Sequence, residues 1–161
     1  MKYKDFSDMI QKRVNDLPMI FAFSNEQLDN ALDDMGLSLK DMKGDKLIRM
    51  GVGAFCLKSD LEHIHSELGK VGEMKRDFIK DYEQAYDAFF YEMGNHEYHI
   101  NWQGDWDVLS CFGLEDDVCE YEDGKDVDDY MNAMGLSPVT KAAYHDARGD
   151  FLRMCDENDW Y

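Results

Sequence analysis

The sequence predicts an α+β fold, mainly α-helical: a single domain over residues 1–161, with about six or seven helices and a small two- or three-stranded sheet. Three observations predict it. The length, 161 residues, suits one domain. The composition, 44% hydrophobic and 13% aromatic, supplies a sizeable core and is unlike that of a disordered chain. Apolar residues recur mostly at three- and four-residue steps, with short β-like runs confined to the N-terminal half.

Tyr3, Phe6, Ile10, Val14 and Leu17 make the first amphipathic stripe, which must stop at Pro18. Met19 to Phe23 reads as a short buried strand. Ser24-Asn25-Glu26-Gln27 is a capping box, opening a helix with Leu28, Leu32 and Met35 on one face and a stop at Gly36. Leu47 to Leu57 is β-like, with Gly51 and Gly53 marking a tight turn or bulge between two short strands. Ser59-Asp60-Leu61-Glu62 is read as a second capping box, for a helix fading at Gly69 to Gly72. The most regular stripe follows: Phe78, Ile79, Tyr82, Ala85, Tyr86, Phe89, Phe90 and Met93, ended by Gly94. After an irregular stretch from Asn95 to Gly104, short helices are expected around Asp105–Phe112 and Asp126–Met134. Ser137-Pro138 then places a cap and a first-turn proline ahead of a last helix, whose stripe is Val139, Ala143, Ala147, Phe151, Met154 and Cys155. Three segments end in Gly-Leu, at Gly36, Gly113 and Gly135. Their unequal spacing reads as a repeated helix stop and not as a repeat array.

Charge is the most informative property. The net charge is −18, but residues 1–90 carry only −4 while residues 91–161 carry 18 acids against 4 bases, a net of −14. The chain therefore divides into a weakly charged 1–94 half and a strongly acidic 95–161 half. Between Glu115 and Asp129 stand nine acids: Glu115, Asp116, Asp117, Glu120, Glu122, Asp123, Asp126, Asp128 and Asp129. Such a field repels nucleic acid and lipid phosphate and attracts basic protein surfaces. The longest apolar run, Pro18 to Phe23, is far short of the roughly 18–20 residues of a bilayer span. Cys56, Cys111, Cys119 and Cys155 lack paired spacing and read as free thiols. These features predict a cytoplasmic protein.

Catalytic patterns are sparse. The sequence contains no Gly-x-Ser-x-Gly and no phosphate loop; Gly51-Val52-Gly53 lacks the later glycine of a dinucleotide fingerprint. Setting Gly124 sixth in a calcium loop puts Cys119, Tyr121 and Tyr130 at ligand positions, which fails. His96 and His99 are the one histidine pair at a spacing that suits a shared metal, with Cys111 or a carboxylate able to complete the shell. The segment follows Gly94, so a packed loop is expected there and no metal or cofactor is assigned. His63 and His65, two apart on a helix, point in different directions.

Phe21-Ala22-Phe23-Ser24-Asn25-Glu26-Gln27, Gly51-Val52-Gly53-Ala54-Phe55 with Lys58-Ser59-Asp60, and Tyr91-Glu92-Met93-Gly94-Asn95-His96-Glu97-Tyr98 together carry a resemblance. The chain resembles, over most of residues 3–155, a group of small acidic phage and mobile-element proteins of unknown function. By analogy of size and charge it is similar in style to anti-defence proteins, anti-CRISPR and antirestriction inhibitors among them. The resulting expectation is a non-catalytic inhibitor acting in a bacterial host cell. It would bind a basic nucleic-acid-binding surface of a defence nuclease, a CRISPR effector first, through a DNA-mimicking acidic face. The nine acids would supply charge, and Tyr98, Trp102, Trp106 and Tyr121 would anchor the partner. No direct nucleic-acid or membrane contact is expected. Two alternatives stand beside it: a small metal-assisted enzyme centred on the His96/His99 loop, and an acidic adaptor without mimicry.

Overall fold

The first helix, α1 (Tyr3–Asn15), buries Tyr3, Phe6 and Ile10, and it stops three residues before the proline that could not continue it. It belongs to a computed structural model that describes residues 1–38, 40, 46–113 and 126–160. The described residues form seven α-helices and three strands, in two compact units: Met1–Met9 with Val71–Tyr161, and Ile10–Lys70. No described helix is long and apolar enough to cross a membrane.

In the unit Ile10–Lys70, β1 (Ile20–Phe21) precedes α2 (Asn25–Asp34), and β2 (Leu47–Gly51) and β3 (Ala54–Leu57) form a hairpin. The sheet is antiparallel in the order β1-β3-β2, with Ile20 opposite Phe55 and Ile48 opposite Cys56. Side chains alternate faces along a strand. Phe55 accordingly joins Ala22, Leu28, Leu32 and Leu47 in one cluster, while Cys56 joins Leu17 and Ile64 in another, so β3 is buried on both faces. Ser24 caps α2 by accepting from the Gln27 amide, and the Gln27 side chain accepts from the Phe23 amide. Gly36 closes it at φ +69, with Leu37 N–H donating to Leu32 O at 2.8 Å.

The hairpin turns at Val52-Gly53, after a bulge between Arg49 and Gly51. Gly53 sits at φ +73, and a Cβ there would lie 2.8 Å from Phe23 Cε1 and 3.0 Å from Ala22 O. Gly53→Ala is expected to cost about 1–3 kcal/mol from left-handed strain and overpacking. Gly69→Ala is the control: that helical site is open, so the change should stabilise by about 0.5–1 kcal/mol. Urea midpoints compare the two; equal effects would contradict this account of the turn.

The other unit takes α3 (Leu61–Phe78) from Val71 onward, then α4 (Tyr82–Asn95), α5 (Gly104–Ser110), α6 (Val127–Ala133) and α7 (Pro138–Glu157). Helices α4 and α7 run parallel, since Tyr82 donates to Asp146 at 2.6 Å and Tyr86, one turn on, donates to Asp150 at 2.8 Å. Between them Phe89 meets Tyr144 edge to face, and Phe90 meets Phe151. Ser137 caps α7 by accepting from the Thr140 amide, Pro138 takes its first position, and Thr140 donates to the Ile79 carbonyl at 2.8 Å.

Several expected boundaries move. Helix α3 runs unbroken through Gly69 and Gly72, because both lie on a continuous ladder that tolerates an occasional glycine at modest cost. It opens from a 3₁₀ turn, Lys58–Asp60, which takes in Ser59, the residue expected as the cap. Phe78 and Ile79 precede α4, which starts from Asp81, an N-cap accepting from the Gln84 amide at 3.1 Å. Gly94 lies inside that helix. On α7, Val139 is 49% exposed and the core stripe is Thr140, Ala143, Tyr144, Ala147, Phe151 and Cys155.

Candidate functional site

The end of α4 departs from its expected form. The Glu97 amide donates to Gly94 O at 3.3 Å and the Tyr98 amide to Met93 O at 3.0 Å, with Glu97 itself left-handed at φ 49. This is a Schellman stop carrying a glutamate where glycine is usual. The helix therefore continues past Gly94 to Asn95, and His96 falls one turn beyond Glu92 on the same side. Helix α5 ends at Cys111, its C-cap residue. These two helix ends bring three donor atoms together: His96 Nε2 lies 3.3 Å from Cys111 Sγ and 3.7 Å from Glu92 Oε2, and all three lie within 4.8 Å of one another.

The cluster is polar in a dry place. Glu92 is only 7% exposed. Its Oε1 accepts from the Tyr3 hydroxyl at 2.5 Å and its Oε2 from the Asn95 amide at 3.0 Å. The Cys111 thiol donates to the Asp107 carbonyl at 3.4 Å. Burial pushes that thiol up to about 12, the Glu92 charge adds to the rise, and Lys75 offsets part of it. Burial, with the Glu92 bond and charge after it, also drives the Tyr3 phenol upward. A thiol held protonated at neutral pH is a poor nucleophile. In addition, Glu92 and Cys111 face the same histidine nitrogen, whereas an acid that orients a catalytic histidine holds the other one. The chemistry this set suits is donation of S, N and O to one ion, from Glu92, His96 and Cys111.

His96 is thus brought together with Glu92 and Cys111, and the group does not include Glu97 or His99. The His99 ring lies 6.3 Å from that of Phe151.

Of the expected partner-binding residues, Glu115, Asp116, Asp117, Glu120, Tyr121, Glu122 and Asp123 lie outside the described residues. Asp126, Asp128 and Asp129 are exposed at the start of α6. Asp126 and Asp129 form its capping box, and Asp128 lies 3.1 Å from His145 of α7. Tyr98 is not a surface anchor. It is 8% exposed, and its hydroxyl donates to Asp105 at 2.6 Å while accepting from Arg148. Gly104 exists to admit that ring, since a Cβ there would meet Tyr98 Cδ2 at 2.6 Å. Trp106 is half-buried, and its Nε1 finds no acceptor among the described residues. Trp102, 75% exposed, keeps the surface position expected of it. Sequence reasoning passed over Glu92, although Glu-x-x-x-His is the i, i+4 spacing of one helix face; only the assumed stop at Gly94 hid it.

Residues 2–156 match a family whose description is "Family of unknown function (DUF7659)". No curated protein and no solved structure matches the chain.

Proposed function

The chain belongs to this family of unknown function, and we propose that it is a non-catalytic binding protein whose acidic C-terminal half docks on a basic protein surface. The nucleic-acid-binding surface of a bacterial defence nuclease, a CRISPR effector foremost, is the partner of matching chemistry. One observation carries the reading: residues 91–161 hold 18 acids and 4 bases.

The described part of that half adds support. Two of its cations are already engaged with acids of the same half, Arg148 near Asp105 and Arg153 with Asp150. Asp126, Asp128, Asp129, Asp146, Asp156, Glu157 and Asp159 all remain exposed. Crowded like charges destabilise a compact chain, and a cationic partner relieves them. A channel that holds an RNA–DNA heteroduplex is such a partner, because it is built to receive a dense row of negative charges. Trp102 offers an exposed aromatic in the same half.

The test is binding to a purified Cas9-type effector, measured without and with bound DNA and across a salt series. Association should weaken roughly ten-fold or more between low and physiological salt, and DNA should compete. Reversing Glu115, Asp116, Asp117, Glu120, Glu122 and Asp123 to lysine spares both α6 caps, so helicity by circular dichroism should hold while binding is lost. Binding that ignores salt and survives the reversal, or no binding to any basic nuclease tried, overturns the proposal.

A further inference from the structure

We propose that Glu92, His96 and Cys111 form a binding site for a divalent transition metal of the zinc class, separate from the acidic docking surface. Three features carry this. The first is ligand type: one thiol, one imidazole and one carboxylate are donors that zinc takes, two from the end of α4 and one from the end of α5. The second is spacing. Donors about 2.0–2.3 Å from a tetrahedral ion stand about 3.3–3.8 Å from each other. Two edges, from His96 Nε2 to sulfur at 3.3 Å and to oxygen at 3.7 Å, already have those lengths.

The third is charge. Glu92 is buried among neutral hydrogen-bond donors, from Tyr3 and Asn95. A buried carboxylate is costly until a cation answers it. A divalent ion with one carboxylate, one thiolate and one neutral imidazole is a neutral assembly. Binding exchanges the Cys111 thiol proton for the metal and releases that proton to solvent.

The surrounding groups behave as a supporting shell. Tyr3 fixes Glu92 through Oε1, leaving Oε2 on the side of His96, and the thiol bond to the Asp107 carbonyl is given up when the Cys111 proton leaves. The histidine side chain is 35% exposed and the glutamate 9%, so the site opens on the histidine side. The fourth position faces that opening and takes a water or a group from outside. The ion would tie the last turn of α4 to the end of α5.

Cobalt(II) is the probe, added to the full chain after chelation and reduction. One equivalent should bind, giving visible bands of tetrahedral intensity and a near-ultraviolet thiolate-to-cobalt band, and zinc should bleach both. Cys111→Ser should abolish the ultraviolet band while Cys56→Ser leaves it. His96→Ala and Glu92→Gln should weaken binding at least ten-fold, and Tyr3→Phe by a smaller factor. If a variant fails to fold, the wild-type chain still decides the matter: over a labelling time long enough to alkylate Cys111 in the metal-free chain, bound metal should protect it when labelled cysteines are mapped by mass spectrometry. Absence of the thiolate band, its survival in Cys111→Ser, or unchanged labelling of Cys111 with metal present each overturns the site.

Discussion

Replacing Phe89 by alanine should cost about 3–5 kcal/mol, a large share of the roughly 5–15 kcal/mol that holds a domain folded. Phe89 is fully buried. Its ring stands edge to face against Phe112 at 5.2 Å and against Tyr144 at 5.0 Å. Those contacts tie α4 both to the segment after α5 and to α7. The cavity cannot close easily, because Tyr144 is held at its far end by a hydrogen bond to Asp105 at 2.6 Å. Tyr144 is therefore fixed by a polar contact and cannot follow the missing ring. Phe23→Ala is the matched control: that ring is 75% exposed, and its loss should stay near 0.5 kcal/mol. Urea unfolding followed by far-ultraviolet circular dichroism reads both. A Phe89→Ala loss below about 1 kcal/mol, at unchanged slope, would mean that the α4–α7 seam is not the main source of stability.

Helices that announce themselves by caps were legible. Ser24 with Gln27, Ser137 with Pro138, and Gly36 and Gly135 act through contacts within a few residues, so local sequence carries them. Gly51 and Gly53 likewise marked the bulge and turn they make. Gly113 shares the Gly-Leu pattern, yet its amide simply donates back to Leu109 at 3.1 Å. The breaks expected at Gly69, Gly72 and Gly94 were misplaced for a common reason: glycine raises the cost of a helix without forbidding it, and burial of Ile64, Val71 and Met93 outweighs that cost. Asp81 was overlooked because the apolar stripe runs across it from Phe78 and Ile79.

The candidate metal cluster was half legible. His96 stood out, with His99 as its expected companion and Cys111 or an unnamed carboxylate to complete the shell. That the structure groups His96 with Glu92 and Cys111 depends on two facts. One is a helix stop with glutamate in the left-handed position, at Glu97; the other is the packing that brings Cys111, fifteen residues away, to the histidine. The same holds for Tyr98, expected among the aromatics that would anchor the partner. Its hydroxyl has a buried use, and only the fold reveals the acid and the guanidinium that satisfy it.

That use of Tyr98 makes Asp105→Ala the second large effect. Tyr98 and Tyr144 both donate to Asp105 Oδ1 at 2.6 Å, and Arg148 Nε lies 3.8 Å from the same oxygen. Removing the carboxylate strands two buried hydroxyls and leaves the guanidinium with the Tyr98 oxygen, at an expected cost of about 2–5 kcal/mol. Asp105→Asn keeps an oxygen that can accept both bonds and should lose about half as much. A second readout separates this acid from a mere filler of space. Burial first, then the bond and charge of Asp105, raise the Tyr98 phenol above its ordinary value of 10.0, and burial and the same charge raise Tyr144. A phenol raised on folding adds stability below pH 10, and that stability drains as pH climbs through the folded value. In Asp105→Asn the charge is gone, so phenolate absorbance from the two tyrosines should appear at lower pH than in the parent chain. Equal losses for alanine and asparagine, together with an unmoved phenolate titration, would reduce Asp105 to a packing residue.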